Sequence, residues 1–221
     1  MIAEILVESG AQGDAEPEAE PETVGPFLAA KLRALSARID EVAPRVLATG
    51  NDDEAVHDLR VAIRRTRVVL EVGRGIFGRF RADETRRALR DVQAATGALR
   101  DEEVLLELIA GLGIDRADVR AWLEARHRRE RRLRSALRRT IRTGELERGR
   151  VLVEALLAFR VKPARERRLA KFALRAVHTA ASGVERAREA PIDDVEGLHD
   201  FRIACKGLRY TVEIFADVIP P

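Results

Sequence analysis

Cysteine, aromatic residues and lysine are all scarce in this chain of 221 residues. The single cysteine, Cys205, excludes an internal disulfide and a metal cluster ligated by cysteines. Aromatic residues make up 4% of the chain, which argues against a surface that stacks the bases of single-stranded nucleic acid. Because only four of the 40 basic residues are lysines, positive charge is carried mainly by arginines, whose planar guanidinium groups match phosphate oxygens.

Long apolar runs and glycine-rich phosphate loops are missing as well. No stretch approaches the roughly 18 apolar residues that span a membrane, and no basic segment followed by an apolar one opens the chain as in a signal peptide. We therefore expect a cytoplasmic protein. Neither GxGxxG nor GxxxxGK(S/T) occurs, which argues against a compact nucleotide-phosphate site at the start of a helix.

What the chain does contain favours helices. Hydrophobic residues make up 46% and charged residues 35%, and leucine, alanine, arginine and glutamate, which all favour helices, dominate. Apolar residues recur at helical spacing and predict seven helices. Their predicted ranges are 27–48, 53–76, 81–110, 115–142, 145–160, 164–189 and a last one from 193. We therefore predict an all-α protein built of helical bundles.

The first 26 residues differ from the rest in charge and composition. They carry seven acidic residues and no lysine or arginine, and proline, glutamate, alanine and glycine predominate. Such a segment cannot bury enough apolar area to offset the entropy of ordering it, so we predict that 1–26 is an acidic flexible tail or linker. The remaining 27–221 keeps 40 basic against 30 acidic residues, a balance that attracts polyanions.

Two helical segments repeat one pattern of charged side chains. Each has a histidine, three basic residues and a glutamate at offsets of three, seven, ten and fourteen from the histidine. The first ladder is His57, Arg60, Arg64, Arg67 and Glu71, and the second ladder is His199, Arg202, Lys206, Arg209 and Glu213. Steps of three and four place each set along one face of a helix. Helical apolar periodicity alone would rarely reproduce such a set, so the match indicates an internal repeat.

Each ladder holds three positive charges in line. Like charges at this spacing repel by some tenths of a kcal/mol per pair, and Glu71 and Glu213 can pair only with the last base of their ladders. Two adjacent ladders would form an elongated positive strip, for which a linear polyanion with closely spaced charges is the best ligand. A general polyanion or a nucleic-acid duplex also fits on charge alone.

Catalysis has weaker support. The His-Asp steps at 57–58 and 199–200 leave open a phosphate-transferring enzyme or a metal phosphohydrolase. Adjacent side chains on a helix diverge by about 100°, however, and only His127 and His178 remain as further histidine ligands. No Ser-His-Asp or Cys-His arrangement is apparent. We therefore expect a binding protein rather than an enzyme, without a catalytic residue, metal or cofactor.

Two features of the intervening helices leave alternatives open. Gly97 lies in the middle of a predicted helix, where a glycine indicates the close approach of another helix. Region 126–142 is strongly basic. It is either a solvated helix face or an addition to an anion-binding surface.

Three segments together resemble a known family. HDLRVAIRRTR, GALRDEEVL and LHDFRIACKGLRY are similar, in this order and at about this spacing, to the motifs of the CHAD domain, the conserved-histidine α-helical domain. The resemblance covers about 27–221. It implies two helical bundles related by pseudo-two-fold symmetry, with a basic cleft or pore between them. It also implies that the domain binds inorganic polyphosphate and is located at polyphosphate granules, with granule proteins as partners. A CYTH-type triphosphate domain, which often accompanies members of this family, is a further implied partner.

The resemblance also implies which residues contact polyphosphate. Carried over by position, this set is His57, Arg60, Arg64, Arg65, Arg67, His199, Arg202, Lys206 and Arg209. Gly207 stands where the first repeat has Arg65, so the second repeat is one base poorer.

The second repeat is shorter than the first. The first spans about 27–143 and the second about 145–221, where the family pattern would continue with two more helices. The final helix carries an apolar face that needs cover. This face consists of Leu198, Phe201, Cys205, Leu208, Val212 and Phe215. We expect either a truncated form or a partner chain that covers the face, such as the second copy of a homodimer.

Overall fold

The fold is known from a computed structural model that describes residues 23–50, 52–112, 117–158, 168–189, 191 and 193–219. Within these ranges the chain forms helices only, apart from one isolated bridge between Thr23 and Arg168. The helices are α1 (Val24–Leu47), α2 (Asp53–Val72), α3 (Arg74–Phe77), α4 (Arg79–Ala88), α5 (Arg90–Gly111), α6 (Ala117–Arg142), α7 (Glu145–Ala158), α8 (Leu169–Arg188) and α9 (Val195–Ile214). The predicted all-α class is confirmed. Most of the predicted acidic tail lies outside the described residues.

The predicted helix over 81–110 is in fact two helices, α4 and α5, which meet at Leu89. Leu89 is fully buried, and it packs so closely on Gly149 of α7 that a Cβ atom at 149 would overlap it. The break lets α4 pack against α7 and α2 while α5 packs against α2 and α6. The break at Leu89 therefore lets the two segments pack against different helices, and helical periodicity alone could not predict it.

The core of the first half lies between α1, α2 and the helices that cover them. The predicted apolar arc of α2 is buried, and the facing side chains of α1 are buried with it. These residues are Val56, Leu59, Ile63, Thr66 and Leu70 of α2 and Leu28, Leu32, Ile39, Val42 and Val46 of α1. Each large apolar side chain buried this way contributes about 1.5–3 kcal/mol. This core holds α2 in a fixed rotation, so its charged arc must border the core.

A buried arginine joins three helices next to the start of α2. Arg134 of α6 lies 2.6 Å from Asp53, 2.9 Å from Glu103 and 2.7 Å from Glu130, and its side chain is only 6% exposed. Burial and the charge of Asp53 raise the pKa of Glu103, against the effect of Arg100 and Arg134. The network ties α6 and α5 to the first turn of the helix that carries the first ladder.

Region 126–142 therefore divides into an inner and an outer face. Arg126 and Arg134 point towards carboxylates, Arg126 lying 2.7 Å from Glu102 of α5. The outer face forms an open groove lined by Arg128, Arg131, Arg132, Ser135 and Arg139.

Helices α8 and α9 pack against each other and touch the first half through α1 and α2. Phe215, which follows α9, is fully buried and stacks on Phe27 with ring centroids 5.6 Å apart. Towards the start of α9 cover is lacking, because Leu198 and Ile203 are 43% and 54% exposed. Of the predicted apolar face of the last helix only Phe215 is buried, whereas Leu198 and Val212 are exposed and Phe201, Cys205 and Leu208 are half-buried. In the described ranges no helix combines the length and apolar character that crossing a membrane requires.

Candidate anion-binding site

The two ladder helices pack against each other. Arg64 of α2 donates a hydrogen bond to the hydroxyl of Tyr210 on α9, at 2.9 Å. One residue further along α2, Arg65 lies 3.0 Å from Glu213. The pattern that repeats in sequence is brought together in space.

Both ladder helices begin at equivalent aspartates. Asp52 caps α2 by accepting a hydrogen bond from the Ala55 amide at 2.8 Å, and this bond is the largest cause that lowers the pKa of Asp52. Asp194 caps α9 by accepting from the amides of Glu196 and Gly197. Each cap lies five residues before its ladder histidine. A cap of this kind contributes about 0.5–2 kcal/mol, and here it sets the same starting point for both ladders.

Four positive side chains form the centre of the site, which we call the ladder strip: Arg60, Arg64, Arg202 and Lys206. Burial, then the like charges of Arg202, Arg64 and Arg60, lower the pKa of Lys206. Burial and the charge of Arg64 likewise lower the pKa of Arg60, against the effect of Asp101. Within the described residues no carboxylate lies at ion-pair distance from any of the four. The ladder strip therefore carries positive charge without an ion-pair partner in the described residues, and Asp101 offsets it only from a longer distance.

Arg60 lies over a glycine of the neighbouring helix. At Gly97 of α5, an added Cβ atom would overlap the Nη1 atom of Arg60. Helices α2 and α5 do pack together, as Gly97 predicted, but the space at this glycine is filled by a guanidinium group. Gly97 thus makes room for the half-buried Arg60 and fixes where its charge lies.

Comparison with known proteins decides the family. The CHAD domain family model matches residues 28–221. The chain belongs to the CHAD domain family. The resemblance found in the sequence is confirmed. None of the curated proteins with which the chain was compared matches it.

Two solved structures share the fold of this CHAD domain. The CHAD domain from the plant Ricinus communis superposes with a TM-score of 0.74 and 20% identity, over 96% of this chain and 73% of that chain. PptA from Streptomyces chartreusis superposes with a TM-score of 0.65 and 18% identity, over 90% of this chain and 77% of that chain. At these identities the likeness establishes the fold.

Tyr210 joins the two ladders of the CHAD domain, although it is not among the predicted site residues. Its hydroxyl accepts hydrogen bonds from Arg64 at 2.9 Å and from Arg209 at 2.7 Å. Both guanidinium groups also lie over its ring, 5.6 and 4.6 Å from the centroid. Burial raises the pKa of Tyr210, but the hydrogen bonds and charges of Arg64 and Arg209 outweigh it, so the pKa is lowered. One buried phenol thus positions an arginine from each ladder.

The other predicted site residues are placed unevenly around the ladder strip. His57 and His199 are exposed near the starts of α2 and α9, without a hydrogen-bond partner in the described ranges. Arg65 and Arg209 share Glu213, at 3.0 and 3.5 Å. Arg67 lies away from the ladder strip, because the charged side chains near it include Arg86 of α4 and Arg90 of α5 rather than residues of α9.

The remaining ladder and dipeptide carboxylates point to other partners. Glu71 pairs with Arg86 of α4 instead of Arg67. Asp58 lies 2.5 Å from Arg38 of α1, so it diverges from the exposed His57 as helical geometry predicts. No cluster of three or more His, Cys, Asp or Glu side chains suited to a metal ion is found in the described part of the chain.

Proposed function

We propose that this CHAD domain binds inorganic polyphosphate along the ladder strip. The observation that carries the proposal is the contact between α2 and α9, which brings two rows of basic side chains close together. The proposed contact set is the nine residues expected from the sequence, centred on Arg60, Arg64, Arg202 and Lys206, with Tyr210 as a positioning residue. The domain acts by binding rather than by catalysis, in the cytoplasm and at polyphosphate granules.

The charge of the strip suits this ligand chemically. A polyphosphate chain carries closely spaced oxygen anions, and guanidinium groups bind phosphate oxygens with two parallel hydrogen bonds. Burial, and after it repulsion from Arg202, Arg64 and Arg60, lowers the pKa of Lys206, and an anion that lies between the cations relieves the repulsion. A linear ligand can meet both rows at once, whereas a compact anion meets only one part of them.

Binding is tested by isothermal titration of the protein with long-chain polyphosphate, in competition with duplex DNA at equal charge and salt. Polyphosphate should displace DNA at a much lower charge concentration. Displacement at equal charge concentrations would instead favour a general polyanion or nucleic-acid binder. Release of phosphate that depends on a divalent metal would favour an enzyme.

The affinity should depend steeply on salt. Each phosphate contact with a single-stranded polyanion contributes about −0.7 to the slope of log affinity against log salt, by analogy with nucleic acids. Four contacts along the ladder strip predict a slope of about −2.8. Titrations between low and physiological salt measure it, and a flat response would contradict an electrostatic strip.

Replacing Gly97 by alanine should weaken binding without harming the fold. The new Cβ atom displaces the guanidinium group of Arg60, which can move because it is the far end of a flexible side chain. Affinity should fall about tenfold, the size of one charge-assisted hydrogen bond. Thermal stability should stay equal or rise, because alanine favours a helix interior by about 1 kcal/mol over glycine.

The control for Gly97→Ala is Gly111→Ala at the end of the same helix. A Cβ atom at Gly111 meets nothing within 4 Å, so this variant should bind like the wild type. If Gly97→Ala also keeps full affinity, Arg60 is not held in a position that matters for the ligand.

We also infer that the two repeats are related by a pseudo-two-fold axis and that further helical cover belongs on the second repeat. The equivalent caps Asp52 and Asp194 and the matching ladders support the axis. The exposed Leu198 and Ile203 support the cover. Further helices or the second copy of a homodimer would supply it, and a CYTH-type domain and granule proteins are further proposed partners.

A further inference from the structure

A second basic surface adjoins the ladder strip near the C-terminal end of α2. Arg67 of α2, Arg86 and Arg87 of α4, and Arg90 at the start of α5 line a recess of about 310 Å³ together with Asp83. We call it the arginine recess. Helix α4 packs against α2, which brings arginines from outside both ladders next to Arg67.

Three carboxylates lie around the arginine recess, and each already pairs with an arginine. The pairs are Asp83 with Arg74 at 2.5 Å, Glu84 with Arg87 at 2.5 Å, and Glu71 with Arg86. The hydrogen bond from Arg74 is the largest cause that lowers the pKa of Asp83, so this carboxylate is ionised and engaged. No carboxylate is left over for Arg67 in the described residues.

Arg67 is the least compensated of these side chains. It makes no hydrogen bond or ion pair within the described ranges, and its buried Nε–H lacks an acceptor, as does that of Arg86. Burial, then the like charges of Arg86, Arg90 and Arg64, lower the pKa of Arg67. Among the described residues, Asp91 is the one carboxylate at ion-pair distance from Arg90, at 3.6 Å, and that exposed pair contributes little. Buried donors normally have acceptors, and Asp83, the carboxylate that lines the recess, pairs with Arg74 and Arg86 and leaves Arg67 without one.

We propose that the arginine recess binds a phosphate group held by Arg67, Arg86 and Arg90. Three guanidinium groups around one concavity present several N–H donors to the oxygens of a tetrahedral anion. Arg67 follows Arg64 by about 4.5 Å along the axis of α2. The phosphate group therefore comes either from a polyphosphate chain that already lies on the ladder strip or from a separate compact phosphate. Only the first source rests on the proposed function.

Titration calorimetry with two probes, pyrophosphate and long-chain polyphosphate, tests the recess. The test variant is Arg86→Gln with Arg90→Gln, and the control is Arg33→Gln with Arg142→Gln, which removes two exposed charges elsewhere on the fold. The recess variant should weaken binding of at least one probe about tenfold, while the control stays within about twofold of the wild type. If the recess variant binds pyrophosphate more weakly, the recess holds a separate compact phosphate. If only its binding of the long chain is weaker, the recess holds a phosphate group of that chain.

If the recess variant binds both probes as tightly as the control does, the proposal that the arginine recess binds a phosphate group is wrong. The variant Arg60→Glu with Arg202→Glu separates this result from the fate of the ladder strip. If only that variant loses the long chain, the proposed function stands and the recess falls. If the wild type binds pyrophosphate through Arg86 and Arg90 but does not bind the long chain, the recess stands and the proposed function falls. A wild type that binds neither probe overturns both.

Discussion

Replacing both Arg60 and Arg202 by glutamate is expected to weaken polyphosphate binding about a hundredfold or more. Each arginine offers charge-assisted hydrogen bonds of about 1.5–3 kcal/mol, so losing two costs about 3–6 kcal/mol before any repulsion from the new carboxylates. Arg60 and Arg202 belong to different ladders, yet each lowers the pKa of Lys206. Reversing both therefore changes the sign of charge on the two sides of the ladder strip at once.

The matched control is Arg33→Glu with Arg142→Glu, which changes the net charge by the same amount at exposed positions of α1 and α6. Titration calorimetry gives the affinities, and circular dichroism checks that helix content is unchanged. The control should lose less than about threefold, because long-range charge alone is screened at physiological salt. If both pairs weaken binding equally, net charge rather than the ladder strip holds the ligand.

Replacing Arg134 by methionine is expected to destabilise the fold by about 3–5 kcal/mol, the usual cost of leaving a buried charge without its partner. The methionine fills a similar space, but Glu130 remains buried without an ion-pair partner among the described residues, and Glu103 keeps only Arg100, at 3.3 Å. The pKa of Glu103, raised already, rises further in the variant. Since the folded state then binds more protons than the unfolded state, the variant loses stability as pH rises through that pKa, and its deficit shrinks in acid.

Denaturant unfolding of Arg134→Met at neutral and acid pH measures both effects. Arg131→Met is the control, because Arg131 is exposed one turn earlier on the same helix and should cost less than about 0.5 kcal/mol. Adding Glu103→Gln and Glu130→Gln to Arg134→Met should recover part of the loss. A deficit that stays constant with pH would mean that lost packing, rather than the unpaired carboxylates, causes the destabilisation.

The faces of the ladder helices could be predicted because they follow from local geometry. Rotation of 100° per residue places Leu59 and Ile63 on one arc of α2 and Arg60 and Arg64 on the next, and burial follows that division. The caps at Asp52 and Asp194 are local as well. Family membership was predictable because three separated segments had to agree.

The connections between the helices could not be predicted, because they depend on tertiary packing. The first repeat has Val68 at the position equivalent to Tyr210, so a comparison of the two repeats does not indicate a role for Tyr210. Glu71 lies one helical turn from Arg67 and was expected to pair with it, but Glu71 pairs with Arg86 of α4 instead. Leu89 ends α4 because its burial against Gly149 outweighs the helical pattern around it.

The anchoring of α9 gives the second ladder an uneven local stability. Tyr210, Ile214 and Phe215 are buried at one end, whereas the first turns, with His199 and Arg202, are largely exposed. Segments with few buried contacts open at the lowest free energy, so amide protons exchange fastest in those turns. A ligand that bridges Arg202 and Arg60 must also order them. Its measured affinity will therefore include the conformational entropy lost in α9, besides the attraction between charges.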